Sequence, residues 1–181
     1  MSNYIVIGVV LVFFVAVTVL FNRGIKLKNY VNEAFSTMDV YLKKRWDLIP
    51  NLVECVKEYS GYEKTILKEV TDIRTKNYSS MSLFDKLDAN LKINDVIPKF
   101  FALAENYPDL KANQNYMKLM DELTKVEDDI ANARKYYNGT VRELNTFTET
   151  FPSNIVCMIF GIRQAKLFEI DDTERNNVKL G

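Results

Sequence analysis

Residues 4–21 read YIVIGVVLVFFVAVTVLF, without a charge or a proline. At about 1.5 Å per residue, a helix over this run is about 27 Å long. That is close to the roughly 30 Å hydrocarbon core of a bilayer. Asn3 and Asn22 stand at its two ends. A helix closes all its backbone hydrogen bonds within itself, as lipid demands. Val6, Ile7, Val9, Val10 and Val12 would also suit a buried strand. A strand this long is unusual, however, and the run lacks both alternation and turn residues. The stretch therefore predicts a membrane helix, and the chain that leaves it is read from that starting point.

A cleaved signal peptide carries a basic start and a small-x-small cleavage site. Met1-Ser2-Asn3 has no basic side chain, and no such triplet follows Phe21. A permanent anchor is expected, with membrane lipid as its partner along Tyr4 to Phe21. Arg23, Lys26 and Lys28 follow directly, then Lys43, Lys44 and Arg45. Basic residues beside a membrane helix favour the cytoplasmic side, so the N-terminus is expected outside and the body inside. Cys55 and Cys157 lie far apart within apolar patterns, as buried thiols of a reducing compartment would.

Composition narrows the chemistry. The chain has 24 basic and 24 acidic residues and a net charge of +0, so no nucleic-acid footprint is present. Six glycines and four prolines in 181 residues argue against a sandwich or barrel and for long helices. Histidine is absent. Its absence removes Ser-His-Asp and Cys-His catalysis, histidine-ligated zinc and Glu-x-x-His di-iron sites. No catalytic residue, metal ligand or cofactor site is assigned. The enzyme alternative rests on carboxylates, tyrosines or a Cys55 thiolate, and Cys55 has no evident base beside it.

Past the anchor, apolar residues recur in steps of three and four: Leu27, Val31, Ala34, Phe35, Met38, Leu42, Trp46, Ile49, Val53 and Val56. They continue through Tyr59, Ile66, Leu67, Val70 and Ile73. One buried helical face is expected, ending near Asn77-Tyr78-Ser79-Ser80. Pro50 interrupts it. The unbroken apolar phase favours a kink, whereas Asp47 ahead of the proline favours a fresh start. A second helix is expected from Ser82, with Asp85 in its first turn, to the residue before Tyr107-Pro108. Its face is Phe84, Leu87, Leu91, Val96, Ile97, Phe100, Phe101 and Leu103. A third helix runs from about Asn113 to Phe151, along Tyr116, Leu119, Met120, Leu123, Val126, Ile130, Ala133, Tyr137, Val141, Leu144 and Phe151. Pro152 ends it, and Ser153 is the expected cap of a short apolar helix, Asn154 to Ile162. The fold class is all-α: a transmembrane helix, then an up-and-down antiparallel bundle of three long helices, four if the first breaks at Pro50. Three parts follow: an anchor over 1–22, a bundle over 23–162, and a flexible tail over 163–181 that includes Asp171 to Asn177.

Several segments resemble the LemA family of bacterial membrane proteins. They are Asn29 to Glu69 (NYVNEAFSTMDVYLKKRWDLIPNLVECVKEYSGYEKTILKE), Leu103 to Leu123 (LAENYPDLKANQNYMKLMDEL) and Asp129 to Asn154 (DIANARKYYNGTVRELNTFTETFPSN). The most specific pieces are Arg45 to Leu52, Tyr107 to Asn113, and Phe151-Pro152-Ser153-Asn154. The resemblance implies a single-pass protein with a cytoplasm-facing bundle, and no established activity, cofactor or substrate. Two places depart from the family pattern, Cys157 and the short tail ending in Leu180-Gly181. The resemblance also favours a break at Pro50, which would return Ile155 to Phe160 to the membrane; a mere kink would leave that piece distal.

Three groups of residues are candidate sites. Asp47, Asn51 and Glu54 share one helix face. They are too few for a calcium or magnesium cage, but they suit a docking face for an unidentified protein partner or for self-association. Tyr107, Asp109 and Lys111 lie in the connection that Pro108 tightens, a second candidate partner surface. Arg134 and Asn138, flanking an apolar stripe, are expected to form a structural polar clamp with Asp39 across the bundle, with Glu54 as the other possible anion. The apolar piece Ile155 to Phe160 either closes the bundle end or dips into the membrane interface. The expected function is a membrane-anchored interaction or assembly module, with a membrane-linked sensor or regulator as the alternative.

Overall fold

The structure is a computed structural model that describes residues 2–59, 68, 70–71 and 77–168. It is all-α, with no strand among the described residues. The helices are α1 (Ser2–Tyr59), α2 (Leu83–Asn106), α3 (Pro108–Ala112), α4 (Gln114–Glu149) and α5 (Ser153–Phe160). A 3-10 turn, Tyr78–Ser80, precedes α2. Contacts gather these elements into two compact units. One combines the chain up to Met38 with the chain from Asn132 onward; the other is Asp39–Ala131. Both boundaries fall inside helices, α1 and α4.

In the first unit, α4 runs antiparallel to α1. Tyr137 meets Phe35, with ring centroids 6.1 Å apart, while Phe147 lies beside Gly24. Leu27, Val31, Ala34, Val141, Leu144, Cys157 and Ile162 complete the core. Gly24 allows this close approach: a Cβ there would stand 2.6 Å from Ile162 Cδ1 and 3.1 Å from Phe147 Cε1. The side chains from Tyr4 to Val15 are exposed, on a helix long and apolar enough to cross a membrane. After Glu149 the chain turns through Pro152 into α5. Gly161, at φ 69°, ends α5 in the left-handed conformation that glycine adopts at no steric cost. Ile162 then returns to the core.

In the second unit, α1 is continuous through Pro50. The expected break does not occur. Trp46, Ile49, Leu52, Val53 and Val56 are all buried around the proline, so packing offsets the roughly 3 kcal/mol that an interior proline costs. Pro98 is likewise inside α2, and exposed. Among the described residues, α1 extends to Tyr59. Tyr78 Oη donates to Asp39 at 2.9 Å, and its ring is 5.5 Å from that of Trp46. Residues 60–67, 69 and 72–76, which include the stripe positions Ile66, Leu67 and Ile73, lie outside the described residues. From Tyr78 onward α2 runs parallel to α1: Lys86 meets Asp39, while Asn90 and Asn94 meet Arg45. Tyr116 Oη donates to the Phe100 carbonyl, which sets α4 antiparallel to α2.

The helix signals resolve unevenly. Ser82 and Asp85 form a reciprocal capping box, and α2 stops at Asn106, ahead of Tyr107-Pro108. Asn113 Oδ1 accepts from the backbone N–H of Asn115 and Tyr116, opening α4. Ser153 does not cap α5. Its buried hydroxyl instead donates to the Phe147 and Thr150 carbonyls, at 2.7 and 2.8 Å, so it closes the end of α4. Leu91, Phe101 and Phe151, expected on buried faces, are exposed. Phe100, expected on the same face of α2, is buried while Phe101 is not, because adjacent positions on a helix point about 100° apart; on α4 Phe147 is buried, and Phe151 lies past the helix end at Glu149.

Candidate functional site

Inside the second unit lies a buried polar centre built on Arg45. The side chain is 3% exposed. Its Nε and Nη2 both donate to Asn90 Oδ1, at 3.1 and 2.7 Å, and Nη2 also reaches the Asn90 carbonyl at 2.8 Å. Nη1 donates to Asn94 Oδ1 and Glu127 Oε1, at 2.8 and 2.7 Å. One guanidinium fork therefore ties α1 to α2 and α4. Asn90 is anchored in turn, donating to the Lys86 carbonyl. Beside this centre, Asp39 accepts from Tyr78 Oη and from Lys86 Nζ, at 2.9 and 2.6 Å. Burial, and then Asp39, hold the Tyr78 phenol protonated well above the ordinary tyrosine range. No group of three or more Cys, Asp or Glu side chains placed to hold a metal ion occurs among the described residues.

The Arg45 role is missing from the sequence assignment. The signal was present: Arg45 sits between Leu42 and Ile49 in the apolar phase of α1, where a solvated lysine would be out of place. Read alone, it merges with Lys43 and Lys44 into a basic run.

Asp47, Asn51 and Glu54 lie on the exposed side of α1, as the spacing predicts. Asp47 pairs with Lys43 one turn earlier, and both side chains are about half exposed (52% and 49%). Tyr107, Asp109 and Lys111 are also exposed, above the fully buried Leu110 that pins α3 to the core. Both surfaces are accessible in the way a docking face must be.

Arg134, Asn138 and Asp39 are distributed as follows. Asp39 serves Tyr78 and Lys86 in the second unit. Asn138, in the first, grips the extended chain after α5: its Nδ2 donates to the Phe168 carbonyl and its Oδ1 accepts from the Phe168 N–H. Asn145 does the same with Ala165, and Tyr137 Oη donates to the Lys166 carbonyl. The Arg134 guanidinium stacks 4.6 Å from the Phe168 ring centroid. Side-chain amides spaced seven residues apart on α4 thus bind the backbone of residues 165–168 much as a neighbouring strand would. Residues 163–168, expected in a flexible tail, are held in place; 169–181, including Asp171 to Asn177, lie outside the described residues.

The two cysteines form no disulfide. Cys157 is buried and Cys55 half-buried, and burial pushes the Cys157 thiol up. At the end of the apolar run, Phe21 meets Phe160 of α5 with ring centroids 4.6 Å apart. The apolar piece is therefore not distal but packs at the end of the apolar run of α1. A cleft of about 380 Å³ opens nearby, lined by Leu20, Arg23, Leu27, Glu143, Phe147 and Phe151 among others. The Arg23 guanidinium covers the Phe147 ring there, 5.6 Å from its centroid.

This architecture has known counterparts in sequence. A model described as the LemA family matches residues 34–181. Protein LemA of Metamycoplasma hominis is similar at 24% identity, over 87% of this chain and 72% of its own. Magnetosome protein MamQ 2 of Paramagnetospirillum magneticum is similar at 22% identity, over 88% of this chain and 68% of its own.

Proposed function

The chain belongs to the LemA family, and on that premise we propose that it is a non-catalytic, membrane-anchored helical module that docks a protein partner or further copies of itself. The observation that carries this reading is the continuity of α1. An apolar window of mean hydropathy 3.0, none of it buried, runs without a break into the helix that forms both cores. Such a rod spans the bilayer once and holds the bundle at its surface. Confinement to two dimensions raises the effective concentration of the module for other membrane components. The basic residues after the span favour a cytoplasmic body, with the N-terminus outside.

Neither relative's name denotes an enzyme. The buried polar groups are spent on structure, as Arg45 is, which supports a binding role over a catalytic one. The exposed face of Asp47, Asn51 and Glu54 is the proposed docking surface, with Tyr107, Asp109 and Lys111 as the second. A photo-crosslinking residue at Asn51 tests this in cells. Repeated capture of one defined protein, or of a second copy, is expected, with the yield lost on charge reversal at Glu54. A crosslinker that returns only the uncoupled protein overturns the docking face. Resistance of the full chain to alkaline extraction from membranes tests the anchor itself.

A further inference from the structure

We infer that α5 is a second membrane contact, an interfacial foot that rests in the same leaflet from which α1 emerges. The inference builds on the proposed reading of Tyr4 to Phe21 as a lipid-embedded span.

α5 reads SNIVCMIF and has no polar stripe. One side, Ser153, Val156 and Cys157, is buried. The other is apolar and exposed: Ile155 is 49% exposed, Met158 82% and Ile159 71%. Phe151, at 79%, precedes them at the spacing of the same face. A helix that is apolar all round is normally covered on every side, by protein or by lipid. Here protein covers half of it.

The position of α5 identifies what covers the rest. Phe160 packs on Phe21, the last residue of the apolar run, so α5 stands at the depth where the span leaves the hydrocarbon. Just beyond that level, exposed Arg23 and Lys26 on α1 and Arg163 after α5 supply cations. An apolar face rimmed by basic residues suits a leaflet containing anionic lipid. Acidic groups near it among the described residues include Glu143, which lines the cleft, and Glu149, which is bonded to Gln164. Gly161 and the Asn145–Ala165 bonds return the chain to the bundle, so α5 is a short protruding loop-back rather than a free end.

The test uses the full chain in vesicles of phosphatidylcholine and phosphatidylglycerol. An environment-sensitive fluorescent amino acid is encoded at position 159 in one protein and at position 13 in another. Both cysteines stay in place, and unchanged helicity by circular dichroism verifies each fold. Lipids brominated near the headgroup or near the chain end serve as quenchers. The expected result is quenching at 159 by the shallow bromines and at 13 by the deep ones. Quenching at 13 with none at 159 overturns the foot and leaves the anchor standing. No quenching at either position removes the anchor as well. A signal at 159 that responds to protein density but not to brominated lipid assigns the face to a second copy, and overturns the inference. The same reporter at Met158 repeats the measurement from the neighbouring position.

Discussion

Arg45 shows how one side chain holds a helical unit together. Three acceptor residues on two other helices converge on its fork, and it is nearly fully buried. Replacing it with alanine leaves Asn90, Asn94 and Glu127 without their donor and opens a void. Arg45→Ala is expected to cost about 2–4 kcal/mol, read as a shift of the denaturant midpoint in detergent. Arg45→Lys keeps the charge but cannot serve all these acceptors at once, so it should recover less than half of that loss. Glu127→Gln should cost no more than about 1 kcal/mol, because the Glu127 side chain is 37% exposed and water can replace the pair. A lysine variant as stable as wild type would show that charge, not geometry, is what the site needs. At this scale the sequence was legible for exposed residues such as Asp47 and Glu54, whose period alone places them outside. It was not legible for Arg45 and Asn138, because a polar residue's partner lies on another helix and spacing along one helix carries no record of it.

At the scale of elements, α1 and its two irregular residues make the sharpest expectations. Pro50 lies inside a continuous helix and breaks the backbone ladder without ending it. Pro50→Ala restores the missing N–H and removes the clash with the Trp46 carbonyl. It should therefore stabilise the protein by about 1–3 kcal/mol, seen as a higher denaturation midpoint with unchanged helix content. A loss of stability would mean that the packing around Pro50 depends on the proline ring. Gly24 is the opposite case. Gly24→Ala gains about 1 kcal/mol of helix propensity but must push aside the Ile162 methyl and the Phe147 ring, so it should come out near neutral. Gly24→Leu overfills the same gap and should cost about 1–3 kcal/mol in a thermal melt. The helix ends divide in the same way. Ser82-Asp85 and Tyr107-Pro108 act on their own backbone and could be read directly. Ser153 could not, because its hydroxyl chooses between starting α5 and closing α4 only once both are in place.

For the whole molecule, the buried phenols link stability to pH. Burial, helped by the charge of Cys55, pushes Tyr116 up to about 12 from an ordinary value of 10. Burial also raises Tyr137 in the first unit, and burial with Asp39 raises Tyr78 in the second. A raised folded pKa means that the folded state keeps a proton the unfolded chain releases. These groups leave stability unchanged below about pH 10, and stability falls as pH climbs from 10 through the folded values. Cys157 adds the same sign from about pH 9 upward. An alkaline titration of the unfolding midpoint should show this decline. Tyr116→Phe should cost about 1 kcal/mol near neutrality through the lost bond to the Phe100 carbonyl, and the deficit should shrink above pH 10. A deficit independent of pH would place the Tyr116 hydroxyl in water.

The sequence by itself determined what repeats along one chain: an apolar run of bilayer length, helices from their period, ends from capping residues and prolines, and the exclusions that follow from having no histidine. Each depends on residues a few positions apart, so a linear text records it. The tertiary structure alone decided that α1 survives Pro50, that Tyr78 meets Asp39 and Trp46, that α5 packs at the end of the apolar run, and that Arg45, Asn138 and Asn145 spend their polar groups on distant segments. Those outcomes are sums over contacts between distant segments. Packing that outweighs a local penalty, or a donor meeting its acceptor, is settled only when the helices are side by side.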